Sequence, residues 1–107
     1  MITTEDFQKI EMRVGTITSV SLNRRARVPA YKVSVDLGPL GLKTSSAQVT
    51  NYSPESLVGR QVVCVCNFAP IHIGDVRSEV RLLGSETEEG CILLSSLSPV
   101  PNGSLVY

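Results

Sequence analysis

An amide, a hydroxyl and a carboxylate stand close together in the second half of the sequence. Asn67 follows a run of apolar, β-branched residues, and Ser78 and Glu79 follow a short distance later. Such groups can hydrogen-bond to bases, sugars or peptide groups. Three more hydrogen-bonding residues stand upstream in a stretch of small side chains, Ser45, Ser46 and Gln48. The chemistry that this pattern favours is ligand binding.

Positive charge that could neutralise phosphates is supplied by Arg13, Lys32, Arg77 and Arg81. The chain carries ten basic and ten acidic residues, so its net charge is zero. A neutral chain has no overall field that attracts nucleic acid, and any nucleic-acid site must be a local patch. Alternating Lys and Arg are also common on solvent-exposed strands, so a plain surface role stays open for these four side chains.

Catalysis and metal binding are not indicated. His72 is the only histidine and has no carboxylate or cysteine at ligand spacing, and Cys64 and Cys66 lack a second pair that would complete a tetrahedral site. No nucleophile elbow or phosphate-cradling glycine loop occurs. We therefore expect no enzyme activity, metal or cofactor, and we interpret Cys64, Cys66 and Cys91 as reduced core residues.

The first half of the chain predicts the elements that would carry these groups. Thr3 or Thr4 can cap a short helix that places Phe7 and Ile10 on one face. Residues 12–22 predict a strand with a bulge near Gly15 to Ile17, where the alternation slips by one residue. A basic, exposed loop follows at residues 23–29. The next strand alternates from Tyr31 to Leu37 and directs Lys32 away from the core.

The second half predicts a turn, a short helix and several strands. Gly38 to Gly41 form the turn, and a helical turn spans Ser53 to Gly59. The predicted strands are residues 42–49, 62–66, 76–83 and 91–94, with Arg77, Glu79 and Arg81 on one side of the third. The charged residues 86–90 predict a solvated loop.

The length and hydropathy of the chain predict a single domain without a membrane span. A chain of 107 residues can build one core but not two, so residues 1–107 predict a single domain. No apolar run approaches the roughly 20 residues that span a bilayer, and the N-terminus has no signal-peptide pattern. We expect a cytoplasmic protein that does not insert into a membrane.

The order and spacing of several motifs resemble the tRNA-binding-domain family of OB-folds. The motifs are Ile10 to Ile17, Ala26 to Lys32, Lys43 to Val49, Asn67 to Pro70, Ile73-Gly74, Ser78 to Val80 and Pro99 to Gly103. The resemblance implies an all-β fold, a five-stranded OB-fold barrel with short flanking helices. It also implies a tRNA-binding region at Asn67, Ser78 and Glu79, with Arg13, Lys32, Ser45, Ser46 and Gln48 nearby.

Two departures favour the branch of export-related chaperones within this family. Ile71-His72-Ile73 stands where tRNA-binding relatives usually carry basic residues, and Val80 follows Ser78-Glu79 where many relatives have Gly-Met. The first hypothesis is a non-enzymatic protein that binds tRNA and acts as an export-related chaperone. The second is a peptide-binding chaperone with little RNA affinity, in which Phe68, Ile71 and Ile73 line an apolar pocket.

The same branch implies a homodimer and further partners. Its interface would use apolar residues near the two ends, Phe7, Ile10, Leu105, Val106 and Tyr107. The alternative is that both ends pack on their own barrel. The implied partners are tRNA and, for the chaperone role, unfolded preproteins and the secretion machinery.

Overall fold

The computed structural model describes all residues from 1 to 107. Its helices are α1 (Thr4–Gln8) and α2 (Pro54–Leu57), with a 3-10 turn at Gly38–Leu40. The strands are β1 (Met12–Leu22), β2 (Tyr31–Asp36), β3 (Leu42–Ala47), β4 (Gln61–Val65), β5 (Ile71–Ile73), β6 (Val76–Ser78), β7 (Arg81–Leu82), β8 (Gly84–Thr87), β9 (Gly90–Leu93) and β10 (Leu105–Val106). No helix in this set has the length and hydropathy that would let it cross a membrane.

The main sheet has the strand order β3-β2-β1-β4-β7, and β10 also pairs with β1. All of these pairings are antiparallel. The sheet curls into a nearly closed barrel because β3 also packs against β6 and β7. The predicted all-β, five-stranded OB-fold barrel with short flanking helices is confirmed.

Strand β1 has the predicted bounds, but its irregularity lies slightly later than expected. The register against β2 shifts between Ile17 and Ser19, whereas the sequence predicted a bulge between Gly15 and Ile17. Gly15 breaks the alternation for another reason, because a Cβ atom there would lie 2.5 Å from Val35 Cγ1 and 2.8 Å from Leu37 Cδ2. The glycine lets β1 approach the core residues of β2.

The core follows the alternation of β2. Tyr31, Val33, Val35 and Leu37 are buried, and Lys32 is exposed as predicted. Cys64 is also fully buried, and this burial raises the pKa of its thiol to about 12. Cys66 and Cys91 are only half-buried and pack against the core, and all three cysteines are free thiols.

The predicted strand from Val76 to Leu83 is wrong, because the chain bends between β6 and β7. Val80 turns into the core with 4% of its surface exposed. The N–H groups of Glu79 and Val80 both donate to the Thr44 carbonyl, at 2.8 and 3.4 Å. Glu79 is consequently half-buried while Arg77 and Arg81 are exposed, so the three side chains do not share one face.

Two short hairpins also differ from the prediction. The expected loop at residues 86–90 is the end of the β8–β9 hairpin, in which Glu86 pairs with Cys91. Strand β5 was not predicted, and it pairs with β6 through a turn at Gly74-Asp75. Three mostly exposed residues carry too little apolar alternation to signal a strand.

Helix α1 is capped by Thr3, one of the two residues that the sequence offered as the cap. The Asp6 N–H donates to Thr3 Oγ1 at 3.1 Å, and the Thr3 N–H donates to Asp6 Oδ2 at 3.0 Å, which forms a capping box. None of the helix residues is buried. Phe7 and Val106 are half-buried, and Ile10, Leu105 and Tyr107 are exposed.

Candidate ligand-binding groove

A groove of about 870 Å³ opens between β3, the segment that follows β4, and the β8–β9 hairpin. Half of its twenty lining residues are hydrophobic. Nine residues singled out in the sequence line this groove: Ser45, Ser46, Gln48, Phe68, Ile71, Ile73, Ser78, Glu79 and Arg81. The fold therefore brings most of the predicted polar set and all of the predicted apolar set to one surface.

The β3 wall offers small polar side chains to the groove. Ser45 is almost fully buried, and Ser46 is half-buried. Gln48 follows the end of β3, is exposed, and leaves both atoms of its amide without a partner. An amide with free donor and acceptor atoms can bond to a base edge or to a peptide group.

Ser78 and Glu79 hold the groove together rather than pointing freely into it. Ser78 Oγ accepts the Ser46 N–H at 3.1 Å, and Glu79 Oε1 accepts the Thr44 N–H at 3.1 Å. The Thr44 hydroxyl lies 3.1 Å from the same carboxylate oxygen. The side chains of Ser78 and Glu79 thus accept N–H groups of β3 that a neighbouring strand would otherwise bond. They join β3 to the bend that follows β6.

The carboxylate of Glu79 is kept ionised by these contacts. The hydrogen bond from the Thr44 N–H is the main reason that the pKa of Glu79 lies below its ordinary value, and the partial burial of the group opposes this effect. Lys43 and Arg77 lower the pKa further. Arg77 Nη1 lies 3.6 Å from Glu79 Oε2, so Glu79 orients Arg77.

Arg81 is the cation that the groove leaves free. Its side chain is exposed and takes part in no ion pair or hydrogen bond. Phe68 and Ile71 line the same groove and expose more than half of their surface, at 55% and 59%. An exposed ring can stack on a base or pack against an apolar side chain.

Four of the residues predicted to bind RNA do not line the groove: Arg13, Lys32, Asn67 and Arg77. Lys32 is nevertheless the cross-strand partner of Ser46, so it flanks the rim. Arg13 donates from Nη1 to the Gly103 carbonyl at 2.8 Å and from Nε to Glu11 Oε2 at 3.2 Å. Its guanidinium thus fastens the C-terminal segment to β1.

Asn67 uses both ends of its amide within the protein. Its Nδ2 donates to the Lys9 carbonyl at 2.7 Å, and its Oδ1 accepts the Glu11 N–H at 3.0 Å. The side chain links the end of β4 to the connection between α1 and β1. Direct contact between Asn67 and RNA stays a prediction.

Asn23 is a residue that the sequence interpretation missed. It was assigned to an exposed loop, but it is buried. Its Nδ2 donates to Ser46 Oγ at 3.0 Å and to the Ile73 carbonyl at 2.6 Å, and its Oδ1 accepts the Asp75 N–H at 3.1 Å. The only signal in the sequence was an asparagine between a strand and a run of arginines.

No group of three or more His, Cys, Asp or Glu side chains is placed where it could hold a metal ion. What the arrangement can do is bind a ligand through hydrogen bonds, one free guanidinium and apolar contacts.

Comparison with a family model shows a match over residues 12–104 to the family described as "Putative tRNA binding domain". Among curated proteins, methionine–tRNA ligase 1 of Bacillus anthracis is 34% identical over 106 residues, and methionine–tRNA ligase of Methanococcus vannielii is 31% identical over 107. These alignments cover 98% and 100% of this chain but only 16% of each ligase. The chain thus spans about a sixth of the length of these relatives.

Solved structures resemble the whole chain. The CsaA chaperone protein of Picrophilus torridus superimposes with a TM-score of 0.95 and 41% identity, and each chain is covered completely. Chaperone CsaA of Bacillus anthracis gives a TM-score of 0.92 and 39% identity, with 100% and 99% covered. A MetRS-related protein of Pyrococcus horikoshii gives a TM-score of 0.87 and 28% identity, and the superposition covers 100% of this chain and 98% of that one.

Proposed function

The chain belongs to the tRNA-binding-domain family, and from this premise we propose that it is a non-enzymatic protein that holds an unpaired segment of tRNA in the groove. The observation that carries the proposal is the groove itself, which combines free hydrogen-bonding groups, a free guanidinium and an exposed aromatic ring. Unpaired RNA is recognised by this combination, because splayed bases stack on rings and expose their edges to amides and hydroxyls.

The residues of the groove have different roles in this proposal. Gln48 bonds to base edges or sugars, and Phe68 provides the stacking surface. Ser45 is almost fully buried and forms part of the β3 wall. Arg81 neutralises a phosphate, with Lys32 and Arg77 adding charge at the rim. Ser46, Ser78 and Glu79 support these groups, because the Ser46 hydroxyl already accepts a hydrogen bond from Asn23 and the side chains of Ser78 and Glu79 already accept backbone N–H groups of β3. Arg13 and Asn67 stabilise the barrel end and the α1 connection.

The direct experiment is a titration with labelled bulk tRNA at about 50 and 200 mM salt, since phosphate contacts weaken steeply over this interval. We expect binding at the lower salt and a marked loss at the higher salt. Gln48→Ala and Arg81→Gln should each weaken binding without lowering the melting temperature. Gln8→Ala and Arg60→Gln are the matched controls, because both side chains are exposed and lie outside the groove.

A second function is proposed for the same groove, the binding of unfolded preproteins as an export-related chaperone. It is supported by the hydrophobic half of the lining, by the exposed Phe68 and Ile71, and by the likeness to the two CsaA chaperones. Cytoplasmic location and contact with the secretion machinery belong to this proposal. Phe68→Ala should reduce the suppression of aggregation of a denatured client, and no suppression by the unaltered protein would reject it.

We also propose a homodimer that covers the apolar residues near the chain ends. Ile10, Leu105 and Tyr107 expose 45%, 56% and 98% of their surface, and Phe7 and Val106 are half-buried. Leu105→Asp should shift a dimer towards monomer in sedimentation experiments, because it places a charge in a desolvated apolar contact. A monomeric mass for the unaltered protein at about 100 μM, well above typical dimer dissociation constants, would exclude the dimer.

A further inference from the structure

Positive charge is concentrated in the loop between β1 and β2. Three of the ten basic residues of this neutral chain lie within the four positions from Arg24 to Arg27, and all three are exposed. Arg24 and Arg27 make no ion pair or hydrogen bond within the protein. Arg25 is paired only with Asp75, at 3.5 Å, on the open surface. Most of this charge is available to a ligand.

The loop is held in place by its first residue. The buried Asn23 donates to Ser46 Oγ and to the Ile73 carbonyl and accepts the Asp75 N–H. The β5–β6 turn also packs directly on the loop, because a Cβ atom at Gly74 would lie only 2.6 Å from the Ala26 nitrogen. Two of the groups that fix the loop, Ser46 and Ile73, line the groove.

A fourth cation reaches the same part of the rim from β2. Lys32 is directly opposite Ser46 in the β2–β3 register and points to solvent. Strand β5, which lines the groove next to Asn23, contributes Ile71, His72 and Ile73 and no permanently charged group. Phosphates beside Ser46 must therefore be neutralised from another element. The acidic residues Glu86, Glu88 and Glu89 lie on the β8–β9 hairpin, and of these Glu86 lines a different wall of the groove.

We propose that the arginine loop, residues 24–27, is a phosphate-binding arm for the RNA whose bases enter the groove, and that Asn23 is the residue that positions it. This inference rests on the proposed RNA-binding function. The arm and Lys32 contact the sugar-phosphate backbone at the Ser46 side of the groove. The acidic hairpin repels the backbone from the other wall, so the strand runs along one rim with its bases turned inward.

The test compares two double variants with equal loss of charge, R24Q/R27Q in the arm and K9Q/R60Q outside the groove. All four side chains are exposed, so both variants should fold. Each phosphate contact on a single strand contributes about 0.7 to the slope of log K against log salt, so R24Q/R27Q should lower this slope by about 1.4. Its affinity for bulk tRNA at about 50 mM salt should fall roughly tenfold, while K9Q/R60Q stays within about twofold of the unaltered protein.

The outcomes distinguish failure of the proposed arm from failure of the proposed RNA-binding function. If the unaltered protein binds tRNA and the two double variants lose affinity and slope equally, the arm is rejected and RNA binding in the groove stands. If R24Q/R27Q binds tRNA normally but loses an unfolded client protein, the arm is also rejected as an RNA element. If the unaltered protein does not bind tRNA even at low salt, both proposals fail.

Discussion

The Oδ1 atom of Asn67 accepts the backbone N–H of Glu11 at 3.0 Å, and this contact joins two segments that are 56 residues apart. The same side chain donates to the Lys9 carbonyl at 2.7 Å. The amide therefore ties α1 and the start of β1 to the end of β4. Its place just after a strand is explained by this structural task.

Asn67→Ala should lower the free energy of unfolding, because it removes both of these hydrogen bonds. At about 0.5–1.5 kcal/mol for a typical net bond, the expected loss from two bonds is about 1–3 kcal/mol. Urea unfolding measures it, with Gln8→Ala as a control in which an exposed amide makes no hydrogen bond. Unchanged stability together with lost tRNA binding would instead show that Asn67 contacts the RNA directly.

Replacement of Glu79 should change how stability depends on pH. The pKa of Glu79 in the folded protein lies below its ordinary value of 4.5, chiefly through the Thr44 N–H. The unfolded state therefore binds more protons in this range, and the stabilisation is present above about pH 4.5 and is lost as the pH falls through the folded value. Glu79→Gln should be less stable than the unaltered protein at pH 7.

The measurement is urea unfolding of both proteins from pH 7 down to pH 3. The difference in unfolding free energy between them should shrink as the pH falls. Protonation of Glu79 removes the stabilisation by the ionised carboxylate from the unaltered protein, and the Glu79→Gln variant lacks this stabilisation at every pH. A difference that stays constant over this range would show that the Thr44 contacts do not depend on the charge of Glu79.

The three cysteines should react with alkylating reagents at different rates. Burial raises the pKa of Cys64 to about 12, and burial is also the main cause that raises the pKa of Cys66. The thiolate is the reactive form, so Cys64 should be labelled slowest at pH 8, a difference that disappears in urea. Cys91 lines the groove, and bound tRNA should protect it.

Mass spectrometry of iodoacetamide-treated protein gives the rate at each site. If Cys64 is labelled as fast as Cys91 in the folded protein, the buried position of Cys64 in the core is contradicted. Protection of Cys66 by tRNA to the same extent as Cys91 would show a general loss of accessibility rather than occupancy of the groove, because Cys66 does not line it.

Asn23→Ala should destabilise the protein and release the arginine loop. The change removes three hydrogen bonds around a buried amide and leaves the Asp75 N–H without its partner, which predicts a loss of about 2–4 kcal/mol. Hydrogen exchange at Asp75 should speed up more than exchange in β2. Equal acceleration at both places would mean that Asn23 supports the whole barrel and not the loop in particular.

Local sequence patterns determined much of the barrel. The bounds of β1, the alternation of β2 and a threonine cap of α1 at Thr3 or Thr4 were all predicted, because each depends on neighbouring residues whose period or chemistry is visible in the chain itself. The order of the motifs also indicated the family. The polar and apolar residues expected at a binding surface do meet, since nine of them line one groove.

Only the tertiary structure decided which of these side chains are free. Asn23 forms hydrogen bonds with Ser46 and Ile73, which are 23 and 50 residues away in the sequence. Glu79 accepts a hydrogen bond from Thr44, which is 35 residues away. A polar residue in sequence looks the same whether its hydrogen bonds are satisfied by a distant segment or left for a ligand. Burial also pulls Val80 into the core and breaks the strand that its neighbours predicted, because the gain from covering an apolar side chain outweighs local strand preference.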